Sequence, residues 1–411
     1  DKDHSWGYFP SVSAGWTLSN EDFMAGFKSA TRISFIKLRA SWGINGNVNS
    51  LGSYQYASTL STSVSSGYDF GSGMVLGASP STTLPNPNIK WETSHQLDLG
   101  LDIRGFKDKL TIGIDWYNKN TMNLLTTVTP PANTGASRVY MNAGKVNNHG
   151  LEFEGSWRET RGDFRYGISG NFATLHNMVV EGTGERVPGA SRYNADVTMT
   201  YFEEGYPLWY LRTFYVDHVD QQTGDPVYKD YNNDGVITAE DRDYAGNGMP
   251  DLTYGVTLEL GWKNFDLMVF GSGVQGIDKF FSLNRGDTFS QNTLKEYYTQ
   301  AWQSPSSTGY KYPRPNAYDT FYPSSNQRVY DASFFKIKQI QLGYTVPRSW
   351  LKKIAMSQLR AYVSFDDWFT FTKYPGLDPE TSASGQGSSM AMDWGSYPMA
   401  KKVVFGLNVA F

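Results

Sequence analysis

The stretch HQLDLGLDIRGFKDKLTIGIDW, residues 95–116, decides the fold. Leu97, Leu99, Leu101 and Ile103 occupy alternate positions, so in an extended chain they share one face, while Gln96, Asp98, Gly100, Asp102 and Arg104 share the other. After Gly105-Phe106-Lys107-Asp108 the alternation resumes, with Leu110, Ile112, Ile114 and Trp116 set against Thr111, Gly113 and Asp115. Two strands, each oily on one face and wet on the other, joined by a turn, read as a β-hairpin.

Two more hairpins follow the same rule. Leu151, Phe153 and Trp157 oppose Glu152, Glu154 and Arg158, and the chain turns at Gly162-Asp163 to return through Phe164, Tyr166, Ile168 and Phe172. Tyr254, Val256, Leu258, Leu260 and Trp262 lead to a turn at Lys263-Asn264 and a return through Phe265, Leu267 and Val269. Less regular strands are expected at Val12 to Leu18, Ile36 to Trp42, Phe335 to Tyr344, Leu359 to Phe369 and Val403 to Phe411. This makes about eleven, each near the length of a tilted membrane strand. Between Ile337 and Ile340 the apolar parity slips by one, the mark of a β-bulge. No sustained amphipathic helix appears, so the chain reads as all β.

The connections alternate between short and long. Tight turns fall near residues 105, 161 and 263, with modest links at 20–33 and 346–357, whereas the others run over 45–92, 121–147, 175–251, 275–332 and 370–401. Short periplasmic turns and long extracellular loops are the asymmetry of a transmembrane antiparallel β-barrel. Trp16, Trp42, Trp116, Trp157 and Trp262 share the parity of the apolar face and lie near strand ends, as an interfacial aromatic girdle would. The alternative is the core tryptophans of a sandwich or propeller.

Composition excludes other classes. In 411 residues, hydrophobic side chains make up 39% and aromatics 15%, and no apolar run approaches the roughly 20 residues of a membrane helix. A net charge of -4 without a basic cluster argues against a nucleic-acid partner. The absence of cysteine removes disulfides, thiolate nucleophiles and zinc-thiolate sites, and fits an oxidising envelope compartment. A start at Asp1 with no signal peptide marks a mature product or a fragment.

Five segments, WGYFPSVSAGW (6–16), ISFIKLRASWGINGN (33–47), YMNAGKVNNHGLEFEGSW (140–157), SFFKIKQIQLGYTVP (333–347) and LRAYVSFDDWFTFTKYPGLDPE (359–380), resemble the SusC/RagA-like TonB-dependent outer-membrane transporters, in that family's order. The ending KKVVFGLNVAF resembles the signal read by the barrel-assembly machinery, which would make Phe411 a true C-terminus. The resemblance implies a barrel of about 22 strands, an N-terminal plug, a TonB box and an SusD-like surface lipoprotein as lid. No plug or TonB box is recognisable in residues 1–411, so the expectation is one domain, the C-terminal eleven strands. The missing N-terminal half of the barrel and the plug would close it in the bacterial outer membrane, in the manner of Bacteroidetes.

Candidate sites lie in the long loops. In DYNNDGVITAED, Asp230, Asn232, Asp234, the backbone of Val236 and Asp241 fall at positions 1, 3, 5, 7 and 12 of a calcium loop, with Gly235 at the turn position. Hard cations need an oxygen cage, and Ca2+ here would stiffen an extracellular loop; Asp in place of Glu at position 12 departs from the helix-loop-helix form. The alternative is an Asx-rich turn held by its own backbone. Trp209, Tyr210, Tyr215, Tyr318 and Tyr322 are substrate-contact candidates that could stack on sugar rings or hold peptide side chains, or else pack the loops together. GSGVQG (Gly271, Gly273, Gly276) fits a dinucleotide fingerprint only formally, since it ends an antiparallel strand. Glu152 and Glu154, about 7 Å apart on one strand face, read as lumen wall rather than as glycosidase carboxylates. His4, His95, His149, His176 and His218 lack metal-ligand spacing, and no catalytic apparatus is visible. The expected function is import of an oligosaccharide or peptide; the rival is a secreted or surface β-rich carbohydrate-binding protein.

Overall fold

The computed structural model describes residues 6–411 apart from 50–55, 70, 72–73, 81, 129, 193–196, 283–293, 316–318, 352–355 and 382–386. Eleven strands pair with their sequence neighbours in one antiparallel sheet: β1 (Ser11–Trp16), β2 (Ile33–Asn47), β3 (Glu92–Gly105), β4 (Leu110–Met122), β5 (Lys145–Arg161), β6 (Phe164–Thr174), β7 (Leu252–Trp262), β8 (Phe265–Gln275), β9 (Phe334–Thr345), β10 (Gln358–Thr372) and β11 (Lys402–Ala410). All eleven were expected from alternation, though β2 and β5 extend further toward the loops than their apolar stretches. Among the described residues β1 and β11 each have a single neighbour, so the sheet is an open wall with two free edges.

Register explains which face is oily. Trp16 lies opposite Leu38, which lies opposite Leu101, which lies opposite Ile114, so one row of apolar side chains crosses four strands. The next row joins Ala14, Ala40, Leu99, Trp116 and Leu151. None of these side chains is buried and most are exposed, as are others on the same face: Leu258 is 37% accessible and Phe405 81%. A soluble sandwich would cover that face with a second sheet; here the face is bare, as a lipid-facing wall must be.

Toward the loop end the same outward positions turn polar. Beyond Trp116 in β4 come Asn118 and Asn120, and beyond Leu151 in β5 come His149 and Asn147. The Asn147 amide donates to Asn118 Oδ1 at 2.7 Å and to Asn120 Oδ1 at 3.1 Å. Trp42 and Trp116 therefore mark the outer margin of the apolar band, while Trp16, Trp157 and Trp262 lie toward the turn end. Above that margin His176–Glu181 replaces β6 as the partner of β5. The crossover needs Gly150, because the Thr174 carbonyl oxygen lies 1.9 Å from where a Cβ would be.

The tight turns use left-handed residues, Gly162 (φ +60°) and Lys263 (φ +52°), which match the twist of the strands they join. The bulge falls where the parity slipped: Phe270 pairs with Gln339 and Gly271 with Ile337, leaving Lys338 as the extra residue. The GSGVQG glycines also have a packing reason. A Cβ on Gly271 would meet the Phe335 ring at 2.5 Å and one on Gly273 the Tyr254 ring at 2.4 Å. Those two rings stack across the glycines, 5.9 Å apart and 2° from parallel.

Candidate functional site

The long loops are not separate arms; they knit into a canopy over one end of the wall. Phe280–Phe281 of the 275–332 loop runs parallel to Met392–Asp393 of the 370–401 loop. Phe214 of the 175–251 loop bridges to Ser325, and the Thr200 hydroxyl donates to the Ser388 carbonyl at 2.7 Å. At their meeting point Met199, Leu211, Phe280, Ala391 and Met392 form a buried core drawn from all three loops.

The canopy places the candidate aromatics mainly within its own packing. Tyr210 is buried, stacks on Tyr206 at 4.3 Å and on Tyr244 at 5.7 Å, and donates its hydroxyl to Glu203. Burial and then the Glu203 carboxylate push its phenol well above the ordinary range. Trp209, half-buried, packs at 6.0 Å against Phe202 in the cluster around Val146 and Val179. Tyr215 donates to the Tyr244 carbonyl at 2.5 Å, and the buried Tyr322 donates to Gln327 at 3.0 Å beneath the Arg328 guanidinium. Tyr318 lies outside the described residues.

Residues 230–241 fold as a tight loop whose carboxylates hold its own backbone. Asp230 accepts from the Asn233 and Gly235 amides at 2.7 and 2.8 Å, and Asp234 accepts from Val236 at 2.8 Å. Asp241 is fully buried and accepts from the Thr238 and Tyr231 amides at 2.7 and 3.0 Å. Those bonds, Thr238 first, hold its carboxyl below the ordinary range. Asn232 completes the loop by accepting from Asp234 at 3.0 Å. Among the described residues no three His, Asp or Glu side chains are grouped to hold a metal ion. The same spacing that suits calcium thus also builds an Asx-rich turn.

A buried ionic cluster escaped sequence reasoning. Lys336, buried on the inner face of β9, donates to Asp378 at 2.6 Å and Glu380 at 2.9 Å. Lys338 joins Glu380, and Lys279 donates to the Pro379 and Thr381 carbonyls. Burial lowers the Lys279 ammonium to about 8, against the pull of Asp393, Asp378 and Glu380. The signal available in sequence was a lysine at alternate positions of SFFKIKQIQ and the acidic pair in LDPE; nothing local marks Lys279.

Below the canopy the inner wall is polar and carries paired charges. Arg39 bridges Asp102 and Asp115, each at 2.9 Å, and Arg360 binds Asp266 at 3.0 Å. Glu152 and Glu154 face a cavity of about 420 Å³ with Asp115 and Asn171. Between strand tops and canopy a second cavity of about 490 Å³ is lined by Asp251, Asp278, Asp331, His176 and Asn177, with no lysine or arginine among the described residues that line it. Burial raises the Asp278 carboxyl there. The His149 and His176 rings stand 4.8 Å apart, centroid to centroid, and among the described residues no third ligand joins them in a metal centre.

An antiparallel wall with an apolar outside, a charged inside and a packed canopy at one end defines part of an outer-membrane β-barrel. The family model described as TonB dependent receptor-like, beta-barrel matches residues 1–271, and the chain belongs to that family. It is 30% identical to TonB-dependent receptor P3 of Formosa agariphila, across the whole chain and 42% of that protein. Against TonB-dependent receptor SusC of Bacteroides thetaiotaomicron it is 27% identical, across the whole chain and 40% of that protein. The RagAB peptide importer in its closed-closed state shares the fold, with a TM-score of 0.81 at 23% identity over the whole chain and 44% of the solved one. The chain thus spans less than half the length of the relatives it matches. The family is one of transporters and receptors.

Proposed function

We propose that the chain is the canopy-bearing wall of an energy-coupled outer-membrane importer for a bulky polar nutrient, an oligosaccharide or a peptide. The observation that carries this reading is the open sheet with its apolar face exposed. In lipid every unpaired backbone group costs several kcal/mol, so the edges at β1 and β11 require strands from elsewhere. The partners in this reading are an N-terminal half of the barrel with its plug, the TonB complex acting on that plug, and an SusD-like lipoprotein lid above the canopy. Similarity to TonB-dependent receptor SusC supports uptake at the outer membrane, the fold is shared with a solved peptide importer, and oligosaccharide and peptide are the two cargo classes of this reading. A secreted carbohydrate-binding protein does not account for the bare apolar band.

Calcium at residues 230–241 belongs to the same proposal. Its support is the spacing of Asp230, Asn232, Asp234, Val236 and Asp241; binding would require Asp230 and Asp234 to exchange backbone amides for the ion. The test of the main reading is a map of the complete particle purified in detergent, with native mass spectrometry of what copurifies. The expected result is β1 and β11 paired to foreign strands, a lipoprotein over the canopy, and a glycan or peptide between them. Pairing of β1 with β11 in a small closed barrel, or a particle soluble without detergent, overturns it.

A further inference from the structure

At the end of the wall opposite the canopy, three of the described connections are tight turns, but the link from β1 to β2 is helical. Leu18–Asn20 and Asp22–Met24 form short 3-10 turns that run into α1, Ala25–Thr31. Phe23 is 67% exposed and Phe27, one helical turn later, 43% exposed. Residues four apart share one face of a helix, so the two rings form a single apolar stripe. Both rings stay exposed among the described residues.

The stripe does not stand alone. Trp16, at the end of β1, belongs by register to the outward apolar face, and its ring meets Phe23 edge-on at 6.5 Å. The Trp16 indole donates to Glu21 at 2.9 Å and the Lys28 ammonium to the Ser19 carbonyl at 2.6 Å, so the link is fastened to itself and to the wall. The aromatic surface thus runs without a break from the lipid-facing band onto the link. Around it Glu21, Asp22, Lys28 and Arg32 sum to no net charge. The other helical link at this end repeats the pattern, with Trp350 of Arg348–Leu351 68% exposed.

We propose that residues 18–31 are a membrane-surface anchor that lies in the headgroup layer of the inner leaflet, with Phe23 and Phe27 at the acyl boundary. The partner is a phospholipid surface, recognised through its apolar margin. An interfacial helix is held by buried apolar area and by attraction to anionic lipid. With a balanced charge, this one depends on the first and is indifferent to the fraction of anionic lipid and to salt. Its position fixes the height of β1, the edge strand that has to meet a partner.

The absence of cysteine from the chain makes the test direct. Single cysteines at Phe23, Phe27, Leu258 and Asp108 are spin-labelled in the complete transporter, with any cysteine of the remaining polypeptide replaced. The protein is placed in nanodiscs of phosphatidylethanolamine with and without phosphatidylglycerol, and collision with oxygen is compared with collision with a nickel chelate. The expected result at Phe23 and Phe27 is an oxygen-to-nickel ratio several-fold above that of the Asp108 label in its water-exposed turn and approaching that of Leu258, unchanged by phosphatidylglycerol. A ratio matching Asp108 overturns the proposal in favour of a solvated link. Labels shielded from both reagents overturn it in favour of a protein partner. A ratio that rises only with phosphatidylglycerol overturns the neutral, area-driven contact.

Discussion

The wall and the canopy are built from one chain by opposite rules. In the wall the apolar side chains point out and stay accessible, the charges pair across the inner face, and order comes from a ladder of backbone hydrogen bonds that joins each strand to the next. In the canopy Met199, Phe280 and Met392 are completely buried, and the buried Arg328 guanidinium lies over the Tyr297 and Tyr322 rings. The difference is one of solvent. Where the surrounding medium is hydrocarbon, burying leucine gains nothing and satisfying the backbone is decisive; where it is water, a loop without a core would not hold its shape.

The sharpest way to break this comparison is to remove a canopy core side chain. Phe280→Ala should cost the canopy about 3 to 5 kcal/mol. Hydrogen exchange is expected to accelerate at 198–212 and 390–393 while β7 and β8 keep their protection; equal loss in the strands would mean that the two regions are one cooperative unit. Next, Leu258→Arg should destabilise the wall by about 2 to 4 kcal/mol if the site lies near the bilayer midplane, whereas Glu259→Leu, on the inner face, should cost less. Denaturant unfolding from lipid vesicles checks both, and an unaffected Leu258→Arg beside a damaged Glu259→Leu would invert the assignment of faces.

A pH experiment sharpens the contrast from the canopy side. The Lys279 ammonium titrates near 8 in the fold against an ordinary 10.5, so between those values the unfolded chain binds more protons. Canopy stability should therefore rise as pH increases from about 8 toward 10, and Lys279→Met should flatten that rise. The window closes near pH 10, because the buried Tyr210 and Tyr322, both raised above the ordinary value, then begin to favour the unfolded state. Proteolytic resistance of the 370–401 loop across this range is the readout; a fall between 8 and 9.5 would contradict the sign. The smallest effect is expected at 230–241. Under the calcium proposal, a chelator or the pair Asp230→Ala and Asp234→Ala should hasten cleavage of the 175–251 loop and leave the wall untouched; cleavage unchanged by chelator leaves the plain turn.

The wall was legible because its information is local. A period of two states which face is which, and each strand pairs with the next, so Leu97 to Ile103 and Leu110 to Trp116 could be placed without knowledge of anything distant. Even the bulge at Lys338 showed as a slip in parity. The canopy was not legible, because its bonds join residues far apart in sequence: Thr200 reaches Ser388. No periodicity announces that Tyr210 is stacked rather than free, or that Lys279 will be roofed by the 370–401 loop. The 230–241 loop stands between these cases, since its spacing predicted a compact turn but is shared by two chemistries.

Lys338 behaves toward the wall as a single inserted base behaves toward a reading frame. On the β10 side of β9 Ile340, Leu342 and Tyr344 align with Phe365, Val363 and Ala361, while past the insertion Ile337 and Phe335 align with Phe369 and Phe371. Drawing that one residue into the ladder as an ordinary paired position would leave every letter beyond it intact and change its meaning: Phe335 and Ile337 would be read into the lumen, and Lys336, with the loop it holds by Asp378, would be read into lipid.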